Sequence, residues 1–125
     1  MLSVSVQNLD NPLASALRVK WCASFFCRLR GLMFHLPLEI GEGLLLVQER
    51  ESRADSAIHM FFMRMDLAIV WIDQDCEVVD VRVAKRWRSV IVPTKAAKYV
   101  LEISAQRFSE FQIGDRLRFE ESNLD

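Results

Sequence analysis

Four polar residues stand out against apolar surroundings: Arg30, His59, Arg64 and Glu102. His59 and Arg64 bracket the run Met60-Phe61-Phe62-Met63. A histidine exchanges protons near neutrality, a guanidinium grips a carboxylate or phosphate with two hydrogen bonds, and an apolar wall beside them excludes water. With Arg30 and Glu102 supplied by distant stretches, the four make a candidate ligand-binding cleft. A regular strand over residues 58–63 puts His59, Phe61 and Met63 on one face and Met60, Phe62 and Arg64 on the other. The two polar groups then share a pocket only if a bulge breaks the alternation. The plainer reading is structural: Arg30 and Glu102 form an ion pair joining helix to sheet, and the Met/Phe cluster is core.

Other chemistries find less support. There is no G-x-S-x-G elbow and no active-site cysteine signature, so no catalytic residue is assigned. Asp73 and Asp75 flank a turn, and Glu39, Glu42, Glu49 and Glu51 lie in loops, where solvated acids are ordinary. Cys22, Cys27 and Cys76 form no C-x-x-C pair, and His35 and His59 sit apart from them. Zinc needs about four converging ligands, so three reduced, packed thiols are expected, with no metal and no cofactor.

The charge is unevenly placed. Residues 81–101 hold Arg82, Lys85, Arg86, Arg88, Lys95 and Lys98 and no acid, which leaves the rest of a chain of net charge −1 at −7. Arg86-Trp87-Arg88 resembles a phosphate grip with a stacking ring. The overall pI of about 6.1 argues against a nucleic-acid partner, and solvated charges on a sheet edge account for the run.

The elements that must position these groups are short. At 125 residues, with 51% apolar and 26% charged positions and only seven Gly plus Pro, the chain reads as one globular domain. Alternation or apolar runs predict strands at residues 4–6, 17–21, 44–47, 58–63, 67–72, 78–83, 89–92, 99–103 and 116–120. Two short helices are predicted: residues 25–30, capped by Ser24 and ended by Gly31, and residues 105–111 after Ser104. Both are expected to dock aromatics on the sheet. Eight or nine short strands with two helices imply a mostly β, jelly-roll-like sandwich or barrel. The N-terminus lacks a basic start and an apolar run, and the longest apolar stretches fall far short of the ~20 residues that span a bilayer. A soluble, cytoplasmic protein without a membrane partner is expected.

Five ordered motifs carry a family resemblance: Arg30-Gly31-Leu32-Met33-Phe34, His59 through Arg64, Val70-Trp71-Ile72-Asp73, Tyr99-Val100-Leu101-Glu102 and Ile113-Gly114-Asp115. Together, over residues 18–119, they resemble the domain-of-unknown-function 192 family, which has no established activity. The resemblance implies a compact jelly-roll β-sandwich. The chain departs from it where the family's usual proline and aspartate are Asp66 and Ala68, where a hairpin glycine is Cys76, and where a later glycine is Gln106. If the missing aspartate serves the family's function, this member has lost or altered it. A tight turn at Asp75-Cys76 also predicts a left-handed Cys76.

These readings converge on a non-catalytic domain that binds a small molecule or polypeptide through Arg30, His59, Arg64 and Glu102. The alternatives are a hydrolase with His59 as general base and a structural or oligomerising module. The sequence does not set the oligomeric state.

Overall fold

Residues 67–72 contain no polar side chain, because both faces of the strand they form are covered: all six are buried. In the computed structural model, which describes residues 2–88 and 90–122, this strand is β4 (Leu67–Ile72). Around it stand β1 (Ser3–Asn8), β2 (Arg18–Cys22), β3 (Glu42–Ser52), β5 (Val78–Ala84), β6 (Ala97–Ser104) and β7 (Leu117–Glu121). They form one sheet in the order β5-β4-β6-β3-β2-β1-β7. Every neighbouring pair is antiparallel except β2 and β3, which run parallel across a connection that contains helix α1 (Phe25–Arg30).

Strand alternation divides the core in two. Leu44, Leu46, Leu67, Ile69, Trp71 and Val100 meet Met60, Met63 and Met65 on one face. Leu45, Val47, Ala68, Val70, Ile72, Leu101 and Ile103 meet Val4, Val6, Leu17 and Leu117 on the other. The sheet curls enough for its two edges to touch. The Val78 amide donates to the Asp115 carbonyl and the Leu117 amide to the Cys76 carbonyl, each at 2.8 Å. The result is a mostly β half-barrel with two short helices. No helix among the described residues is long and apolar enough to cross a membrane.

Several expectations change. Seven strands stand among the described residues, fewer than eight or nine. Residues 58–63 are not a strand: Ile58 makes one isolated bridge to Ile91, and Phe62 at φ 62° turns the chain out of extended backbone. The same bridge is what remains of the strand predicted at 89–92, whose Ser89 lies outside the described residues. The helix spans residues 25–30 as predicted, with the Ser24 hydroxyl accepting from the Cys27 amide and Gly31 ending it. It does not dock its aromatics: Phe25, Phe26 and Leu29 are exposed and no residue of α1 is buried. The second helix is a 3₁₀ helix, Ala105–Glu110, with Ser104 as its cap.

What holds α1 is covalent and polar. Cys22 and Cys27 form a disulfide, Cα–Cα 5.6 Å, correcting the expectation of three reduced thiols. Only Cys76 is free, and burial pushes its thiol pKa up. The Arg28 guanidinium donates to the carbonyls of Ala23 and, at 3.2 Å, Val47.

Candidate functional site

Glu102 enters the interior by strand parity. It lies on β6 between Val100 and Ser104, opposite Leu44 of β3 and Ile69 of β4, so its side chain joins the Met-rich face of the sheet. It is 5% exposed, and its Oε1 is buried without a hydrogen-bond partner. Desolvation raises its pKa to about 7, since an ionised carboxylate loses hydration that nothing here replaces. The Arg30–Glu102 ion pair does not form. Glu102 takes no salt bridge, and Arg30 is exposed.

Gly31 explains how the backbone comes so close. The helix end turns there at φ 52° and ψ −129°, and a β-carbon would stand 3.6 Å from Glu102 Oε1. A residue with a side chain is strained in that conformation, and its β-carbon would stand in van der Waals contact with the carboxyl. The Gly31 amide closes the helix on the Cys27 carbonyl at 2.8 Å. The short capped helix thus delivers Arg30, Gly31 and Leu32 to the edge of the cleft.

The cleft has a volume of about 200 Å³. Glu102, Arg30 and His59 all line it, together with Gln48, Asp55 and Arg28 and an apolar wall that includes Leu46, Ile58 and Met63. His59 lines it from the irregular stretch 58–63, on the same side as Met63. Its Nδ1 accepts the Phe61 amide at 3.3 Å and its ring stacks on Phe61, centroids 5.5 Å apart. Arg64 is not brought to this cleft. It is exposed, is absent from the lining, and offers its carbonyl to Arg86 at 3.5 Å.

Across the Arg30–Leu32 strip lies a wider hollow of about 800 Å³, lined by Arg18, Lys20, His35 and Glu42 as well as Cys27 and Leu44. Two of its polar groups are engaged: Lys20 donates to the Ser3 hydroxyl at 3.2 Å and Glu42 accepts the Glu39 amide at 2.9 Å.

The family's missing aspartate does not touch the cleft. Ala68 pairs with Ile103 and is fully buried in the opposite core, so its substitution leaves the surroundings of Glu102 intact. Asp66, at the proline position, accepts the Arg86 amide at 2.8 Å and binds the Lys85 and Arg86 side chains. That amide hydrogen bond, foremost, lowers its pKa. Cys76 is left-handed at φ 65°, as its turn requires.

Reasoning from the sequence missed Gln48, Asp55 and Arg28, which carry no local signal. It also missed Gly31 as a site residue, although Gly31 was legible as the helix stop.

The family model of the domain of unknown function 192, described as an uncharacterised ACR, matches residues 6–119. A UPF0127 protein of Thermococcus kodakarensis is 40% identical over 100 residues, covering 78% of this chain and 62% of its own. The chain thus spans about three fifths of that relative's length. A UPF0127 protein of Pyrococcus abyssi is 32% identical over 104 residues, 82% of this chain and 86% of its own. Among solved structures, a Sinorhizobium meliloti protein proposed as a transcription regulator superposes with a TM-score of 0.80 at 20% identity, covering 94% of this chain and 92% of its own. A Novosphingobium aromaticivorans protein of unknown function gives 0.77 at 18%, covering 93% and 83%. At these identities the two structures demonstrate a common fold. The family match over nearly the whole chain and the archaeal relatives together establish that this chain belongs to the domain-of-unknown-function 192 (UPF0127) family.

Proposed function

We propose that the chain is a non-catalytic binding domain, an abbreviated jelly roll of the cytoplasm, whose cleft over Glu102 takes a small polar molecule or the end of a polypeptide. One observation carries this reading: the buried, unpartnered Glu102 carboxyl in the wall of an open cleft. Such a group costs free energy until something satisfies it. A ligand bearing an ammonium or amide N–H satisfies it directly. Arg30 and His59 on the same lining suit an acceptor or anionic end. The volume, below the roughly 300 Å³ of drug-sized sites, fits a group about the size of an amino acid. A disulfide such as Cys22–Cys27 persists in a cytoplasm chiefly in hyperthermophiles.

A panel of amines, amino acids and short peptides tests the proposal by thermal-shift titration at pH 6 and pH 8. A ligand whose affinity falls about tenfold or more in both Glu102→Gln and Arg30→Ala is the expected result. A cationic ligand should bind more tightly at the higher pH, where Glu102 is ionised. Ligands that bind the parent and Glu102→Gln equally well would contradict the assignment.

A catalytic reading has one observation in its favour, a carboxyl held near neutrality, which suits proton transfer. It would place the base at Glu102 rather than His59, whose ring has no carboxylate partner among the described residues. Among the described residues no serine or cysteine lines the cleft to act as nucleophile.

A further inference from the structure

Three aromatic rings meet on the surface, outside either core. Phe34, Phe62 and Trp87 are 60%, 42% and 58% exposed. Phe62 stands between the others, its ring centroid 5.0 Å from Phe34 and 5.1 Å from Trp87. They belong to three separate connections that the backbone ties together. The Phe34 amide donates to the Phe62 carbonyl at 2.9 Å and the Trp87 amide to the Met60 carbonyl at 2.7 Å. All three residues are left-handed, at φ 61°, 62° and 65°, a conformation that side chains bearing a β-carbon adopt at a cost. The apolar surface continues beyond them. Leu36 and Val90 are exposed nearby in sequence, and exposed Phe25 and Leu29 line the cleft that His59 lines. Three packed rings this exposed on a folded chain mark a docking surface.

Its charge says what docks there. Residues 23–38, 57–65 and 85–101 contain no Asp or Glu, in a chain with seventeen acids. They carry Arg28, Arg30, Arg64, Lys85, Arg86, Arg88, Lys95 and Lys98 instead, and Asp55 is the exposed acid that lines the cleft beside Phe25 and Leu29. Asp66, just outside, pairs with Lys85 at 3.6 Å and Arg86 at 3.2 Å. A second copy apposed through the same face would set cations against cations. A single-stranded nucleic acid uses rings and cations, but offers nothing to the aliphatic Leu29, Leu36 and Val90. An anionic bilayer surface uses all of them: apolar tips enter the boundary between headgroups and acyl chains while arginines meet lipid phosphates. The expectation of no membrane partner rested on the length of apolar runs, which bears on crossing a bilayer and not on lying against one.

We propose that the Phe34–Phe62–Trp87 cluster and its arginines form a surface that docks on anionic lipid. Co-sedimentation of the full chain with equimolar phosphatidylglycerol/phosphatidylcholine vesicles, and with pure phosphatidylcholine vesicles, tests this. Binding is expected to the first, about tenfold or more weaker to the second, and reduced at about 0.5 M salt. Asparagine tolerates the left-handed region, so Phe62→Asn/Trp87→Asn should keep the fold, checked by its thermal midpoint, and lose vesicle binding about tenfold. Ile113→Ser, which alters an apolar residue 67% exposed before β7, should bind as the parent does. No sedimentation with anionic vesicles, equal binding to both compositions, an unaffected double variant, or tighter binding to an oligothymidylate would each overturn the proposal.

Discussion

Glu102 and Arg107 lie five residues apart and are both buried, 5% and 0% exposed, yet the protein treats their charges in opposite ways. Arg107, on the 3₁₀ helix, spends all five of its N–H groups. Nε donates to Glu110 Oε2 at 2.9 Å, and one terminal nitrogen donates to the carbonyls of Ala16 and Ile40 at 3.2 and 2.8 Å. The other donates to the Ser15 carbonyl at 2.6 Å and to Glu110 Oε1 at 3.1 Å. Glu102 has an oxygen with no partner and an open cleft in front of it. A buried charge tied off on every side is architecture. One left open beside a cavity stores the free energy that a ligand can release.

The largest expected effect falls on the satisfied side. Arg107→Met leaves Glu110 and three carbonyls without their donor and should destabilise the fold by about 3–5 kcal/mol in chemical denaturation. A loss below about 1 kcal/mol would show that the clamp is not architectural.

Glu102→Gln should act in the other direction and depend on pH. Below pH 4.5, the carboxyl's unperturbed pKa, it is protonated in native and unfolded chains alike and costs nothing. As the pH rises toward about 7 the unfolded chain ionises first, so the parent loses stability, by about 3 kcal/mol once both states are ionised. The amide never ionises. The variant should therefore match the parent near pH 4.5 and exceed it by about 3 kcal/mol near pH 8.

Two left-handed positions sharpen the comparison with smaller effects. Gly31→Ala should cost about 1–2 kcal/mol from backbone strain and, by placing a methyl group beside the Glu102 carboxyl, should impair ligand binding as well. Cys76→Gly relieves the same strain far from the cleft and should stabilise by about 1 kcal/mol with no effect on binding. A less stable Cys76→Gly in equilibrium denaturation would count against the strain argument.

The local parts of this account were legible in the sequence. Ser24 and Gly31 bounded α1, the apolar run bounded β4, and the tight turn at Asp75-Cys76 called for a left-handed Cys76. Nonlocal parts were not. The Arg107 clamp draws on carbonyls 67 to 92 residues away, and the Cys22–Cys27 bond, though its ends lie only five residues apart, depends on how the chain turns between the end of β2 and α1. Apolar alternation suggested a strand at 58–63 because nothing in the residue types announces a left-handed phenylalanine. For the site, Arg30, His59 and Glu102 do come to one cleft and Arg64 does not. The ion pair that seemed the natural fate of Arg30 and Glu102 fails because the arginine stays in water.

The most direct test of the open-charge account is the stability of the parent and of Glu102→Gln measured by denaturant titration from about pH 4.5 to pH 8.5. The account predicts curves that coincide at the acid end, diverge as the pH rises from 4.5 to about 7 and stay apart above it, leaving the amide variant about 3 kcal/mol more stable. A constant gap across that range, or parent and variant equally stable throughout, would mean that Glu102 is already satisfied and that the cleft holds no unpaid charge.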